Sequence, residues 1–448
     1  MKTYLKPIII GSSIILAALG AWFFLTVGEW VKPEIRPLAD LQTIGRGAVL
    51  KFSVTDGGSG LSSVAVTITQ DDQVRVLSSL SFRDGKTKET TVSVPLDAGA
   101  LRLRDGQAVL TVVAEDRSLW KNKARWQKNV SMDLDPPRIA LLTTMNHLSP
   151  GGTGVVLYTL SKPVTTDGVW VDDVFFPSYA ISQGGRNLRI VYFAVPMDSA
   201  AGGPRIRIAA RDGGGNEAIQ TVPRVILKKT FRHDKMTLSD AFLEGKTAEF
   251  VPAHPPLREK TPLERFVYIN TSLREENFKT IQAVCAKSEP RQLWEGPFLR
   301  MKDAAPMALF GDRRTYLHGG KAVGESVHMG VDLASLAQAP VEAANSGLVV
   351  FTGKLGIYGN TVIIDHGLGL FSLYAHLSQI DVRQGQRVKK GEVVGRSGMT
   401  GLAGGDHLHF SLVVGGRFVD PKEWWDPHWI KDNVTKKLEL SWRGFSSC

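Results

Sequence analysis

Cysteine is scarce: the 448 residues contain two, Cys285 and Cys448. So few cannot build a disulfide framework, and nothing in their wide spacing requires even one bond, although an oxidising compartment would permit it. Cys285 falls on the apolar face of an expected helix and reads as a small buried hydrophobe. Basic clusters are lacking as well. The net charge is +10, from 54 Lys and Arg against 44 Asp and Glu. These charges are spread along the chain and form no stripe, which argues against a nucleic-acid partner. An A-x-A cleavage pattern is also missing from the N-terminal region, and that absence bears on the first thing that is present.

Lys2 and Lys6 precede an uncharged run from Pro7 to Gly28, PIIIGSSIILAALGAWFFLTVG. Such a run is long enough to cross ~30 Å of hydrocarbon as a helix. Trp22 and Trp30 sit toward its far end, where interfacial aromatics belong. A cleaved signal peptide has a shorter apolar core and a small-residue site. Residues 1–32 therefore read as a cytoplasmic stub and transmembrane anchor, the chain's contact with a membrane. The positive-inside bias leaves everything after residue 32 outside the cytoplasm.

From 33 to 228 short alternating segments such as AVLKFSV, SSVAVTI, AVLTVVA and RIRIAAR are separated by Gly- and Asp-rich turns. This is the pattern of β-sandwiches. A weak repeat places Asp116 and Asp212 after a strand, each followed by Asn and Ala, at a spacing close to the ~100 residues of an immunoglobulin-like domain. The paired prolines of DLDPPRI mark a joint. The pattern resembles tandem bacterial immunoglobulin-like modules and implies two of them, 33–135 and 136–228. A spacer is their more ordinary role, since fold alone specifies no ligand.

Residues 229–311 lose strand periodicity and read as a linker region. Thr261, Pro262 and Glu264 form a helix start, with a capping hydroxyl, a proline in the first turn and an acid three residues after the cap. Leu263, Phe266, Val267, Ile269, Leu273, Ile281 and Val284 then follow roughly helical spacing, so a helix is expected over about 262–286. From 312 to 425 strand signals return among many glycines. A tail, 426–448, follows.

Six of the ten histidines lie between residues 318 and 409. In DHLHFSL, alternation puts His407, His409 and Ser411 on one face of a strand and Leu408, Phe410 and Leu412 on the other. Upstream, HMGVD sets His328 and Asp332 four apart around Gly330, which allows close backbone packing. Two imidazoles and a carboxylate suit zinc, and three protein ligands leave a position for water. Either His407 or His409 then stays unbound and can move protons. In FSLYAHLS, alternation puts Tyr374 and His376 on one face, opposite Phe371, Leu373, Ala375 and Leu377. His318, His366 and His428 have no comparable partner and read as structural.

HMGVDLA, YAHLS and HLHF, with GQRVKKGEVVGRSGMTG between the last two, together resemble the lysostaphin-type zinc metallopeptidases, a family of cell-wall endopeptidases. The resemblance covers about 312–425. It implies that His328, Asp332 and His409 bind Zn2+, and that His376 and His407 are the catalytic histidines that handle protons and stabilise the transition state. It also implies peptidoglycan as substrate and the bacterial cytoplasmic (inner) membrane as the seat of the anchor, with the bulk of the chain in the periplasm or extracytoplasmic space. Gly405 and Asp406 before HLHF, and Ser411 after it, depart from the family pattern at the groove and bear on peptide preference.

The expected architecture is thus mainly β: an N-terminal transmembrane helix, two immunoglobulin-like β-sandwiches, a linker helix and a C-terminal β-rich metallopeptidase domain. The expected function is a membrane-anchored zinc endopeptidase hydrolysing amide bonds in peptidoglycan stems or cross-bridges. The alternative is a non-enzymatic regulator that activates other wall hydrolases, although all five His and Asp positions are present; no regulatory partner is named by the sequence. VKKGEVVG also resembles the turns of biotinyl and lipoyl carriers, but Lys389 and Lys390 precede the turn glycine and the histidines stay unexplained.

Overall fold

A computed structural model describes residues 15–20, 30–83, 86–143, 145–183, 186–198 and 202–443. The expected anchor, Pro7 to Gly28, lies mostly outside these. Its described part, 15–20, is helical, and among the described residues no helix is long and apolar enough to cross a membrane. Cys448 also lies outside the described residues. Two compact units are resolved, one comprising residues up to Pro137 with Lys162–Thr165 and Arg211–Ala218, the other Arg138–Ser161, Thr166–Ala210 and Ile219–Cys448.

In the first unit, Glu34–Pro37, Val49–Thr55 and Glu89–Pro95 form a three-stranded sheet. Five strands form the second, in the order Thr43–Ile44, Lys123–Met132, Gly106–Asp116, Leu61–Gln70 and Gln73–Ser81. Alternation builds the core: Leu50, Phe52 and Val54 point inward to join Val64, Val66, Ile68, Leu110 and Val112, all fully buried. The repeated Asp is a turn clasp. Asp116 Oδ1 accepts from the backbone N–H groups of Ser118 and Asn122, and Oδ2 from the Asn122 amide. Asp212 repeats this, Oδ1 accepting from the N–H groups of Gly214 and Asn216, and Oδ2 from the Asn216 amide.

Two four-stranded sheets follow in sequence. One runs Tyr179–Gln183, Arg186–Ala194, Thr153–Leu160, Ile139–Leu141, the other Val174–Pro177, Thr166–Val171, Ile206–Arg211, Glu217–Thr221. Within the second unit the core of residues 153–195 is continuous with that of the C-terminal β-domain. Trp424 is the junction. Fully buried, it lies 5.6 Å from the Tyr192 ring, 5.3 Å from Trp294 and 5.5 Å from Phe298. Its indole N–H donates to Thr153 Oγ1 at 3.0 Å. The Thr153 backbone N–H donates to Glu423 Oε2 at 2.6 Å.

The C-terminal domain is built on one sheet in the order Ala305–Ala308, Val331–Ala334, Leu408–Val414, Leu370–Leu377, Asn360–Asp365, Gly347–Lys354, Arg387–Val388, with Arg417–Val419 paired to Leu408–Val414. Leu370–Leu377 and Leu408–Val414 are buried along their whole lengths. Both faces of these strands are therefore covered, beyond the one apolar face that alternation in DHLHFSL marks as core.

The preceding region packs against this domain. His233–Thr237 pairs in parallel with Arg313–His318, which continues into Lys321–Val327. The helix expected at 262–286 runs from Pro262 to Val284 as two α segments joined by a π turn at Ile269–Leu273. Thr261 and Glu264 close a reciprocal capping box at its start. Asn277 Oδ1 accepts from the Ile357 N–H at 2.8 Å and the Asn270 amide donates to the Glu325 carbonyl at 3.0 Å, which fixes the helix to the β-domain. Cys285 ends it as a buried free thiol, its pKa pushed up by burial and then by Asp365.

Candidate metal centre

Strand pairing brings the site together. Asp332 and His409 are directly opposed on neighbouring antiparallel strands, so their side chains leave the same face. His328 enters from the turn before Val331–Ala334. The close approach requires Gly330: a Cβ there would lie 2.6 Å from His409 Nε2, the Phe410 carbonyl and Ser411 Oγ. His328 Nε2, Asp332 Oδ1 and His409 Nδ1 then form a triangle with sides of 2.9, 2.9 and 3.0 Å.

The remaining ring nitrogens fix the tautomers. His328 Nδ1–H donates to the Leu309 carbonyl at 3.0 Å. Ser411 Oγ–H donates to the Met329 carbonyl, so Ser411 accepts from His409 Nε2–H at 2.9 Å. Both rings consequently turn a lone pair inward, the arrangement that outer hydrogen bonds impose on metal-binding imidazoles. Three lone-pair atoms at these separations repel one another unless a cation lies among them. A tetrahedron with bonds of about 2.0–2.1 Å has edges of about 3.3 Å, so this donor set fits zinc after a separation of a few tenths of an ångström.

Burial alone would raise the Asp332 pKa. Pairing with the protonated ring of His328 first, and then with those of His407 and His409, outweighs burial and holds it well below the usual carboxylate range. Burial pushes His409 down to about 4 despite Asp332.

His376 and His407 flank the triangle. The His376 ring lies 4.8 Å from that of His407 and 5.7 Å from that of His409. It shares no face with Tyr374, contrary to the alternation. Tyr374 is opposed to Phe410 and Ala375 to His409, so regular pleating would send residue 376 away from the triangle. A register shift between Asn360 and Val362 and a left-handed φ of 63° at His376 turn it back. Its Nδ1–H donates to the Thr400 carbonyl at 2.8 Å. Burial, with the charges of His409 and His407, pushes its pKa down to about 3.

His407 Nδ1–H donates to the Gly405 carbonyl at 2.8 Å, and its Nε2 stands 3.6 Å from Asp332 Oδ1. Burial lowers the His407 pKa, but the facing Asp332 carboxylate wins and leaves it raised. His318 pairs with Asp240, and His366 is held between the Ser346 carbonyl and Ser372 Oγ. These two, with His428 on the Pro427–Ile430 helix, lie outside the group.

A groove of about 640 Å³ exposes the triangle, and its walls include Met236, Phe242, Phe266, Arg274 and Arg314 from outside the histidine motifs. Sequence reading missed Arg314, whose Nη2 lies 3.4 Å from Asp332 Oδ2. No motif marks it, because its neighbours in sequence are ordinary strand residues. A second concavity of about 800 Å³, lined by Leu299–Asp303, Ser335–Pro340, Leu408 and Phe410, contains none of the five residues.

A single sheet thus presents a His–Asp–His triangle able to hold a metal ion, beside two further imidazoles. Residues 326–421 match Peptidase family M23, and the C-terminal domain of this chain belongs to that family. The chain is 43% identical over 95 residues to the DD-carboxypeptidase/endopeptidase Mpg of Neisseria meningitidis serogroup B, covering 21% of this chain and 22% of that protein. It is 43% identical over 93 residues to the peptidoglycan DD-endopeptidase ShyA of Vibrio cholerae, with the same shares covered. The matched part thus spans about a fifth of these relatives. Among solved structures, a putative peptidase M23 from Pseudomonas aeruginosa aligns at 22% identity and a TM-score of 0.39, covering 62% of this chain and 95% of that one.

Proposed function

We propose that the protein is a membrane-anchored zinc endopeptidase that hydrolyses amide bonds in the peptide stems or cross-bridges of peptidoglycan, acting outside the cytoplasm. The observation that carries this is the convergence of His328 Nε2, Asp332 Oδ1 and His409 Nδ1, two of them with lone pairs fixed inward. These three atoms would hold the ion. Zinc there would supply a Lewis acid that polarises the scissile carbonyl and acidifies an adjacent water toward a pKa of ~7.

The chain's own groups do the rest. His407 keeps its proton on Nδ1, so Nε2 accepts one from the attacking water. The imidazolium that results faces the Asp332 carboxylate, which stabilises it. His376 is oriented by the Thr400 carbonyl and kept neutral by burial. It becomes a donor to the tetrahedral oxyanion or the departing amine only after receiving a proton. The β-sandwich modules, read as immunoglobulin-like, would set the reach from the anchor. The likeness to Mpg, a DD-carboxypeptidase/endopeptidase, and to ShyA, a peptidoglycan DD-endopeptidase, supports this reading.

Digestion of purified peptidoglycan with the wild-type chain and with His409→Ala, read by mass spectrometry, tests it. New peptide fragments are expected from the wild type alone. Identical product profiles would remove the enzymatic claim.

A further inference from the structure

Arg314 stands beside the metal triangle on Arg313–His318, outside the segment that matches the M23 family. Its side chain is 20% exposed, and Nη2 approaches Asp332 Oδ2 at 3.4 Å. A guanidinium carries five N–H donors in one plane. Among the described residues its side chain makes no other hydrogen bond or ion pair. Arg274, which lines the same groove, is by contrast committed through Nε to the Asn270 carbonyl and through Nη2 to Asn270 Oδ1.

Among the described residues, no acid of the groove other than Asp332 pairs with Arg314. Asp332 spends Oδ1 on the triangle, and Asp406 accepts from Ser397 Oγ and the Gln338 N–H. With this one long contact to Asp332, a largely desolvated guanidinium keeps donors that a second anion can take. The planar fork matches a carboxylate in two parallel hydrogen bonds. Through the two oxygens of one carboxylate, Arg314 lies a few ångströms from the point where the carbonyl must sit. In a peptide, an anion at that short range is the α-carboxylate of the residue joined through the scissile amide.

We propose that Arg314 is a specificity-determining residue that grips a free α-carboxylate on the leaving side of the cleaved bond. The ligand class is a peptide whose leaving residue is either C-terminal or a diamino acid acylated on the amine next to its free carboxylate. This rests on the amide hydrolysis proposed above and names what that site selects.

The test uses the zinc-loaded full chain and two N-acetylated stem peptides ending in D-Ala-D-Ala, one a free acid and one its C-terminal amide. A charge-assisted pair predicts a kcat/KM roughly tenfold or more higher for the acid. Arg314→Met should bring the ratio close to one, and Arg314→Lys, which keeps the charge without the fork, should give an intermediate ratio. Equal losses on both peptides, leaving the ratio intact, would mean that Arg314 only positions Asp332 and would overturn the proposal. A wild type with no preference would overturn it as well.

Calorimetric binding of the same peptides to metal-free chain gives a second readout. The acid should bind more tightly, and the difference should vanish in Arg314→Met; equal affinities in the wild type refute the grip. Should the wild type cleave neither peptide, amide hydrolysis of this substrate fails, while the binding comparison still decides the carboxylate question.

Discussion

His328 Nε2 and His409 Nδ1 face each other at 3.0 Å, each with its proton on the far side of the ring. Two acceptors in that relation are uncomfortable alone and effective together once a cation lies between them. Their outer partners, the Leu309 carbonyl and Ser411 Oγ, are thus as much part of the centre as the rings.

Ser411→Ala should therefore weaken metal binding without removing a ligand. It deletes the acceptor that holds His409 Nε2–H, and loss of such a partner costs roughly 10–100-fold in metal affinity. Competition for zinc with a chromogenic chelator measures it. Unchanged affinity would show that the His409 tautomer is fixed by something else.

The two flanking histidines should separate rate from metal content. His407→Ala and His376→Ala are each expected to retain zinc and to lose kcat by about 10²–10⁴, the usual yield of a positioned acid or base. His409→Ala should lose the metal itself. Zinc per chain by mass spectrometry, beside cleavage of a stem peptide, distinguishes these outcomes; a metal-free His407→Ala would make that residue a ligand.

Stability should fall as pH rises, through Glu423. Burial first, and the neighbouring Asp420 second, push its pKa up to about 8, although the Thr153 N–H and Lys229 pull the other way. The folded state then keeps a proton that the unfolded chain has released above its ordinary carboxyl value, so this contribution is complete below that value and is lost as pH climbs through about 8. Thermal melts in chelator from roughly pH 5 to 9 should slope downward for the wild type and less for Glu423→Gln. Parallel slopes would contradict it.

Trp424 should couple the strands of residues 153–195 to the C-terminal domain. Trp424→Ala removes a fully buried ring and the hydrogen bond to Thr153, a change worth about 3–5 kcal/mol. Hydrogen exchange should report it in peptides from Thr153–Leu160 and from Leu408–Val414 together. Loss of protection in only one of them would separate the two cores.

Several features were legible without tertiary structure because they are local. Thr261 and Glu264 announce a helix start through hydrogen bonds within three residues. The alternation of Leu50, Phe52 and Val54 follows from strand geometry. His328, Asp332, His376, His407 and His409 stood out because such residues are unusual within apolar strand segments.

Other features depend on atoms far apart in sequence. No pattern in FSLYAHLS reveals the bulge that turns His376 over, since the register with Asn360–Asp365 creates it. Nor does a motif mark Arg314, which strand pairing carries to Asp332. The sequence by itself determined which side chains could chelate, because residue type and strand period set the chemistry and the outgoing face. Only the tertiary structure decided which nitrogen of each ring turns inward and which cation borders the groove, because carbonyls, hydroxyls and neighbouring strands from distant segments supply those constraints.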